Sequence, residues 1–482
     1  MILVPLRQTL IRSGLKYYSS ALPKTIDIDG KTFKTDDSMT NVTPNTLALV
    51  GRNLHLNENH PVGILRTMIE EKLNSTSNNF KTYNNFKPVV SVYDNFDSLG
   101  FLPDHPGRAK TDTYYINKEF LLRTHTSAHE IPCFQRIKNF LSKDKNSNIP
   151  PEQLTDKTGF LISADVYRRD EIDRNHYPAF HQMEGACAWK RNPDDPQEHI
   201  NKLRKDIKQL EDQLAQEKLK ITLVSDDVSL EANPKQDYMS DLEVNLCSQH
   251  LKRSIELVVS EVFNQKIESM KLLQKNDSNY KCEIPTELKA RWIRAYFPWT
   301  APSWEIEVWW QNDWLELCGC GIVREDLLLR SGYEKDSSIA WAFGLGLDRI
   351  AMLLFDILDI RLFWSHDKRF QNQFQKGKIT TFQPYSRYPG TSRDVSFWLP
   401  KGLTKKDIND NDVTEIVRGI GSDLVGSVKL VDVFTNTRNN QVSVSYRIFY
   451  QSMDRNITNS EINDLQQKVC EAIVEKYNVE LR

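Results

Sequence analysis

The chain has 482 residues, 39% hydrophobic and 27% charged, with a formal net charge of −2. That length supports two or three domains with a sizeable core, and the composition is that of an ordinary globular protein. No apolar run is long enough to cross a bilayer, so no membrane partner is expected; with almost no net charge, any nucleic-acid contact must rest on a local basic face.

The N-terminus differs from the rest. Arg7, Arg12, Lys16 and Lys24 are interleaved with Leu3, Leu6, Leu10 and Leu15, and no acid precedes Asp27. A cationic, amphipathic, acid-free start is the composition of a mitochondrial import signal. Residues 1–22 are therefore expected to be a presequence, and the mature chain is expected in the mitochondrial matrix. Seven cysteines, an odd number scattered along the sequence, read as reduced thiols.

Ile64, Leu65, Met68, Ile69 and Leu73 recur at helical spacing after His60-Pro61. An Asn-rich loop follows, then a strand over 89–93. Residues 160–189 form a dense strand–loop–strand block. Ile200, Leu203, Ile207, Leu210 and Leu214 step by three and four, and Leu242 and Leu246 resume a helical face. The span 195–245 is read as a helical hairpin inserted at the surface, a packing decoration rather than an RNA-contacting arm. Strands are expected at 291–296, 305–311 and 314–323, a buried helix at 341–358, and a linker at 366–385. The remainder, 386–482, reads β-α-β-β-α-β, a ferredoxin-like order. Within it Val442, Val444, Tyr446 and Ile448 alternate with polar residues, and Thr458 with Glu461 forms a capping box.

The chemistry lies in the strings between these elements. Tyr167-Arg168-Arg169-Asp170 ends an apolar strand, followed by Asn175-His176-Tyr177-Pro178 and Phe180-His181-Gln182-Met183-Glu184-Gly185. Upstream stand Asn95-Phe96-Asp97, His105-Pro106-Gly107-Arg108, Asp112-Thr113-Tyr114-Tyr115 and Leu122-Arg123-Thr124-His125-Thr126-Ser127; downstream stand Tyr296-Phe297-Pro298-Trp299, Trp314-Leu315-Glu316-Leu317 and Ala342-Phe343-Gly344-Leu345-Gly346-Leu347-Asp348-Arg349. In this order the strings resemble the phenylalanyl-tRNA synthetase family, a class II aminoacyl-tRNA synthetase, from about residue 55 to the C-terminus. Catalytic and anticodon modules in one chain resemble its single-chain, organellar branch.

The resemblance implies an α+β fold: a class II antiparallel sheet flanked by helices over 23–365, then a ferredoxin-like anticodon-binding domain over 386–482. It implies phenylalanine, ATP with Mg2+ and mitochondrial tRNA(Phe) as partners, no prosthetic group, and a monomer. Arg168 is expected between the ATP α-phosphate and the substrate carboxylate, with Arg349 on the adenine and γ-phosphate. These are the expected catalytic residues. Asn175, His176 and Tyr177 belong to the loop over ATP, and Phe180 stacks on adenine. Gln182 and Glu184, with Met183 between them, hold the ammonium and ring region. His125, Thr126, Ser127, Ala128 and His129 line the amino-acid site. Phe297, Trp299, Ala342 and Phe343 form the ring pocket, and Glu316 binds magnesium and ATP.

Two departures from the family are visible: Trp299 stands where a second Phe is usual, and Asp348 stands where Glu is usual. Cys318 and Cys320 read as buried core rather than a zinc site. His55, His60 and His105 read as structural. In the C-terminal module Phe397, Trp398, Phe434 and Tyr450 are candidates for base stacking, and Arg387, Arg393 and Arg447 for phosphates. A non-catalytic binding protein would be expected to lack Arg168, Glu316 or Arg349, and all three are present. A class II synthetase for another amino acid is disfavoured by the apolar Phe297, Ala342 and Phe343.

Overall fold

The computed structural model describes residues 22–77, 79–142, 155–225, 233–276, 282–384 and 388–482. The presequence expectation and Arg387 lie outside them, apart from Leu22.

Helix α1 (Pro61–Ser77) carries the predicted apolar stripe, with Leu65, Ile69 and Leu73 buried. The central sheet has eight strands: β1 (Phe80–Tyr83), β2 (Gly159–Tyr167), β3 (Ala179–Lys190), β4 (Lys220–Ser225), β5 (Glu287–Arg294), β6 (Thr300–Trp310), β7 (Asp313–Val323) and β8 (Ser338–Gly346). Their order across the sheet is β1-β2-β3-β8-β7-β6-β5-β4. The five inner pairings are antiparallel, and parallel pairs close both edges. Helix α2 (Glu130–Leu141) packs Phe134 and Ile137 against Phe160 and Ala340 on one side of the sheet. Helices α3 (Glu198–Gln216), α4 (Asp241–Asn276) and α5 (Leu347–Phe355) join α1 in the main core on the other.

The structure corrects three expectations. The span 195–245 is not a surface hairpin. After α3 the chain adds β4 to the sheet edge, and α4 then buries Leu251, Ile255, Val259 and Phe263 in the main core. The three-and-four spacing of α3 is the seam it makes with α4, since such spacing marks any helix with one covered face. The helix expected at 341–358 begins only at Leu347. Residues Ser338–Gly346 are the central strand β8, whose two faces are both covered, so its sequence shows no alternation. The expected linker at 366–385 includes a short helix, Lys368–Gln371, and inserts Phe370, Phe374 and Phe382 into the main core.

The C-terminal module has the expected order: β9 (Thr391–Trp398), α6 (Asp410–Gly421), β10 (Val425–Thr435), β11 (Val442–Tyr450), α7 (Asn459–Tyr477) and β12 (Glu480–Leu481), with sheet order β10-β11-β9-β12. The Thr458–Glu461 capping box is present. Phe397 and Tyr450 are fully buried in the module's core, which removes them from the stacking candidates. Trp398 and Phe434 stay at the surface with the Arg482 guanidinium 5.4 and 5.1 Å from their ring centroids. Arg447 is paired with Asp394.

The module docks on the catalytic body. Ile172 of the β2–β3 connection packs into the module's core. Tyr114 Oη donates to Glu415 at 2.9 Å, Arg418 donates to the Asp170 carbonyl at 2.6 Å, and Arg169 pairs with Asp412 at 3.0 Å.

Candidate active site

A cavity of about 720 Å³ opens on one face of the central sheet. Strands β2 and β3 and the connection between them supply one side. Arg168 follows the last residue of β2, where its backbone N–H donates to the Pro178 carbonyl at 3.1 Å. Its Nε donates to the Thr124 carbonyl at 2.9 Å, and its guanidinium lies 5.2 Å from the Phe180 ring centroid. Those contacts leave the rest of the guanidinium fork facing the cavity, suited to an oxyanion. Asn175, His176 and Tyr177 line the same side, and Asp173 holds His176 Nδ1 at 2.9 Å.

Along β3 the side chains alternate. Phe180, Gln182 and Glu184 face the cavity, while His181 and Met183 face the main core. Gln182 lies opposite Gly346 and Glu184 opposite Gly344 on β8, so small residues keep the cavity open above both. Gln182 Oε1 accepts from the Thr126 backbone N–H at 3.3 Å, and Ser127 Oγ donates to Glu184. Burial pushes the Glu184 carboxyl up to about 8, against the opposing hydrogen bonds from that turn.

The turn at 126–129 is only partly in the site. His125 and Ser127 line the cavity. His125 is stacked between Phe101, at 5.6 Å, and Trp299, at 5.9 Å. Burial, with Arg168 nearby, brings it down to about 3, so it is neutral. Three expectations here are corrected. Thr126 is buried and does not line the cavity, although its backbone N–H donates to Gln182 and its hydroxyl lies beside the Glu184 carboxyl. Ala128 packs in a small core with Val90 and Phe96. His129 is stacked on Phe86 at 4.2 Å and bonded to Arg123. Met183 is likewise outside the cavity, because it follows Gln182 on a strand and must face the other way.

The apolar wall of the cavity comprises Phe297, Trp299, Ala342 and Phe343. Two glycines make it possible. A Cβ on Gly319 would stand 2.6 Å from Phe297 Cζ, and one on Gly185 would stand 2.5 Å from Phe343 Cζ. Arg349 stands in the first turn of α5 and lines the cavity, as Phe180 does. Glu316 is exposed on the cavity's rim. Magnesium keeps most of its waters and takes one or two carboxylates beside phosphate oxygens, so a single open acid fits such a role.

Sequence reasoning missed several lining residues. Phe96, Phe101, Asp112 and Glu130 border the cavity, as does Asn411 from the C-terminal module. His105, read as structural, and Cys320, read as core, also reach it. Asp112 and His105 lie in strings already matched to the family. Asn411 had no such signal, since only docking of the module brings it there.

The sheet, the arginine after β2 and the arginine in the first turn of α5 together define the class II aminoacyl-tRNA synthetase architecture. A family profile described as "tRNA synthetases class II core domain (F)" matches residues 45–226 and 244–374, and one described as "Ferredoxin-fold anticodon binding domain" matches 386–482. The chain is 60% identical to the mitochondrial phenylalanine–tRNA ligase of Saccharomyces cerevisiae, covering 99% of each. It is 35% identical to the mitochondrial phenylalanine–tRNA ligase of Mus musculus, covering 95% of this chain and 89% of that one. With the phenylalanine–tRNA ligase alpha subunit of Prochlorococcus marinus (strain NATL2A) it shares 27% identity over 59% of this chain and 58% of that one. The chain belongs to the mitochondrial phenylalanine–tRNA ligase family.

Proposed function

We propose that this protein activates phenylalanine with ATP and transfers it to mitochondrial tRNA(Phe), in the mitochondrial matrix and as a monomer. The observation that carries the reading is the cavity in which Arg168, Glu184 and the wall of Phe297, Trp299, Ala342 and Phe343 converge. An α-amino acid with an aromatic side chain presents a carboxylate, an ammonium group and a ring to such a surface.

In the first step the substrate carboxylate attacks the ATP α-phosphate and pyrophosphate leaves. Arg168 binds both anions, holds them in contact and offsets the charge that builds on the transferring group. Phe180 stacks on adenine, and Arg349 neutralises the distal phosphates. His176 and its neighbours Asn175 and Tyr177 cover the nucleotide. Glu184 receives the ammonium group, with Gln182 and Ser127 orienting it. Glu316 would hold a magnesium ion, which would add charge neutralisation on the phosphates. In the second step the terminal ribose hydroxyl of the tRNA attacks the mixed anhydride, forming the ester and releasing AMP. The C-terminal module reads the anticodon, with Trp398, Phe434 and Arg482 as the exposed stacking surface.

The reading is tested by charging. Purified protein, ATP and phenylalanine should esterify a mitochondrial tRNA(Phe) transcript, and no charging of that transcript would refute it.

A further inference from the structure

The cavity contains a second buried acid. Glu130 opens α2, is 1% exposed and lines the same cavity as Glu184. Each of the two carboxylates has its Oε2 atom buried without a hydrogen-bond partner. Ser127 donates to the other oxygen of Glu184, and the Trp299 indole meets the Glu130 carboxylate. Among the described residues neither acid belongs to an ion pair.

The charged groups around the two acids do not pair with them: Arg136, further along α2, lies over the Tyr83 and Phe86 rings at 4.6 and 5.7 Å and reaches Cys133. Cys133 lies one turn along α2, and burial raises its thiol. His125 and His129, from the preceding turn, are both held neutral, chiefly by burial. Arg168 is cationic, but only its Nε is engaged, by the Thr124 carbonyl, and the rest of its fork serves the substrate's carboxylate and phosphate oxygens. Burial first, and then the charge of Glu184, holds Glu130 well above the usual carboxylate range. A single ammonium guest balances one carboxylate, not two.

We propose that Glu130 works as a neutral, protonated acid whose hydroxyl donates toward Glu184, leaving Glu184 as the one negative charge that meets the substrate's ammonium group. Glu130 is thus a positioning residue. The inference rests on the reading that Glu184 receives the ammonium group. Its proton stays with the pair throughout, so no step of the reaction consumes it.

The test compares Glu130→Gln, Glu130→Ala and Glu184→Gln by phenylalanine-dependent ATP–pyrophosphate exchange. Glutamine keeps a neutral donor of the same length. Glu130→Gln should therefore retain the wild-type KM for phenylalanine at pH 7. Glu130→Ala should raise that KM about tenfold, the loss expected for one buried hydrogen bond, with the KM for ATP unchanged. As pH rises the wild type should lose kcat/KM faster than Glu130→Gln, because only the wild type can place a second negative charge there. The loss of the substrate's own ammonium proton is common to both and cancels in the ratio. Equal losses in Glu130→Gln and Glu130→Ala at pH 7 would overturn the proposal, since the acid would then act as an anion. An unchanged Glu130→Ala would overturn it as well. If Glu130→Ala does not fold, Glu130→Gln decides alone: a tenfold loss at pH 7 contradicts the proposal. Glu184→Gln separates the two readings. An unchanged KM for phenylalanine there would remove the ammonium assignment itself, whereas a large rise beside a failed Glu130→Gln rescue would remove only the role of Glu130.

Discussion

The Asp348 carboxylate accepts two hydrogen bonds from His181, one from its backbone N–H at 2.5 Å and one from its ring Nδ1 at 3.1 Å. Both residues are buried, and the imidazole is stacked on Trp364 at 5.4 Å. The contact ties β3 to the first turn of α5. On β3 the neighbours of His181 are Phe180 and Gln182; on α5 the neighbour of Asp348 is Arg349. One clamp therefore sets the spacing between the proposed adenine stack and the proposed phosphate-binding arginine. An acid in the first turn of a helix is also favourably placed against its macrodipole.

Asp348→Ala should accordingly raise the KM for ATP and leave the KM for phenylalanine nearly unchanged. A hydrogen bond to a charged group contributes about 1.5–3 kcal/mol, so the rise should be roughly 10- to 100-fold. Steady-state exchange with each substrate varied in turn checks this. An unchanged KM for ATP would mean that the clamp does not set the nucleotide site.

Phenylalanine binding should release a proton. In the empty cavity burial lifts Glu184 to about 8, so below that pH its carboxyl is mostly protonated. An ammonium guest favours the carboxylate and lowers its pKa. Binding therefore expels a proton between the bound-state pKa and about 8, and phenylalanine affinity should rise with pH across that window and level off above it. Calorimetry at pH 6.5 in buffers of different ionisation enthalpy counts the protons. Net release from the wild type and none from Glu184→Gln is the expected result; no release from the wild type would contradict the assignment.

Gly319→Ala should impair phenylalanine binding selectively. The added methyl would stand 2.6 Å from Phe297 Cζ, so the ring must shift within the wall it forms. Overpacking of this kind costs about 1–3 kcal/mol, or roughly a tenfold or greater rise in KM for phenylalanine. The KM for ATP should stay near its wild-type value. Equal changes in both would point to general disruption of the sheet.

Docking of the C-terminal module should depend on Glu415. It is 4% exposed, accepts from Tyr114 and is paired with Arg418, which itself reaches the Asp170 carbonyl. Removing one partner of a buried ion pair strands the other, at a cost of about 3–5 kcal/mol. Glu415→Ala should lower the thermal melting temperature, and an unchanged melt would show that the interface tolerates an unpaired Arg418.

Much of the site was legible because its parts are contiguous strings. Arg168, Phe180, Gln182, Glu184, Phe297 and Arg349 all reach the cavity, and each lies in a run with its own pattern. Strand alternation was available in the sequence and would have excluded Met183, which sits between two cavity-facing residues. Strand β8 was misread as helix because burial on both faces removes the alternation that marks a strand. The span 366–385 was misread because its three buried phenylalanines follow no period; only tertiary contact assigns them to the core. Glu130 and Asn411 were not legible as site residues. A lone acid opening a helix reads as an ordinary helix-terminal charge, and an asparagine in the second module reaches the cavity only once the modules dock.

The central claim is that this cavity activates phenylalanine and that Arg168 is its principal catalytic contact. ATP–pyrophosphate exchange across all twenty amino acids tests it most directly, with Arg168→Ala measured beside the wild type. The expected result is exchange driven by phenylalanine above every other amino acid, and a loss on the order of 10²–10³ in a folded Arg168→Ala protein. Stronger exchange with a different amino acid, or near-normal exchange in the folded variant, would contradict the account.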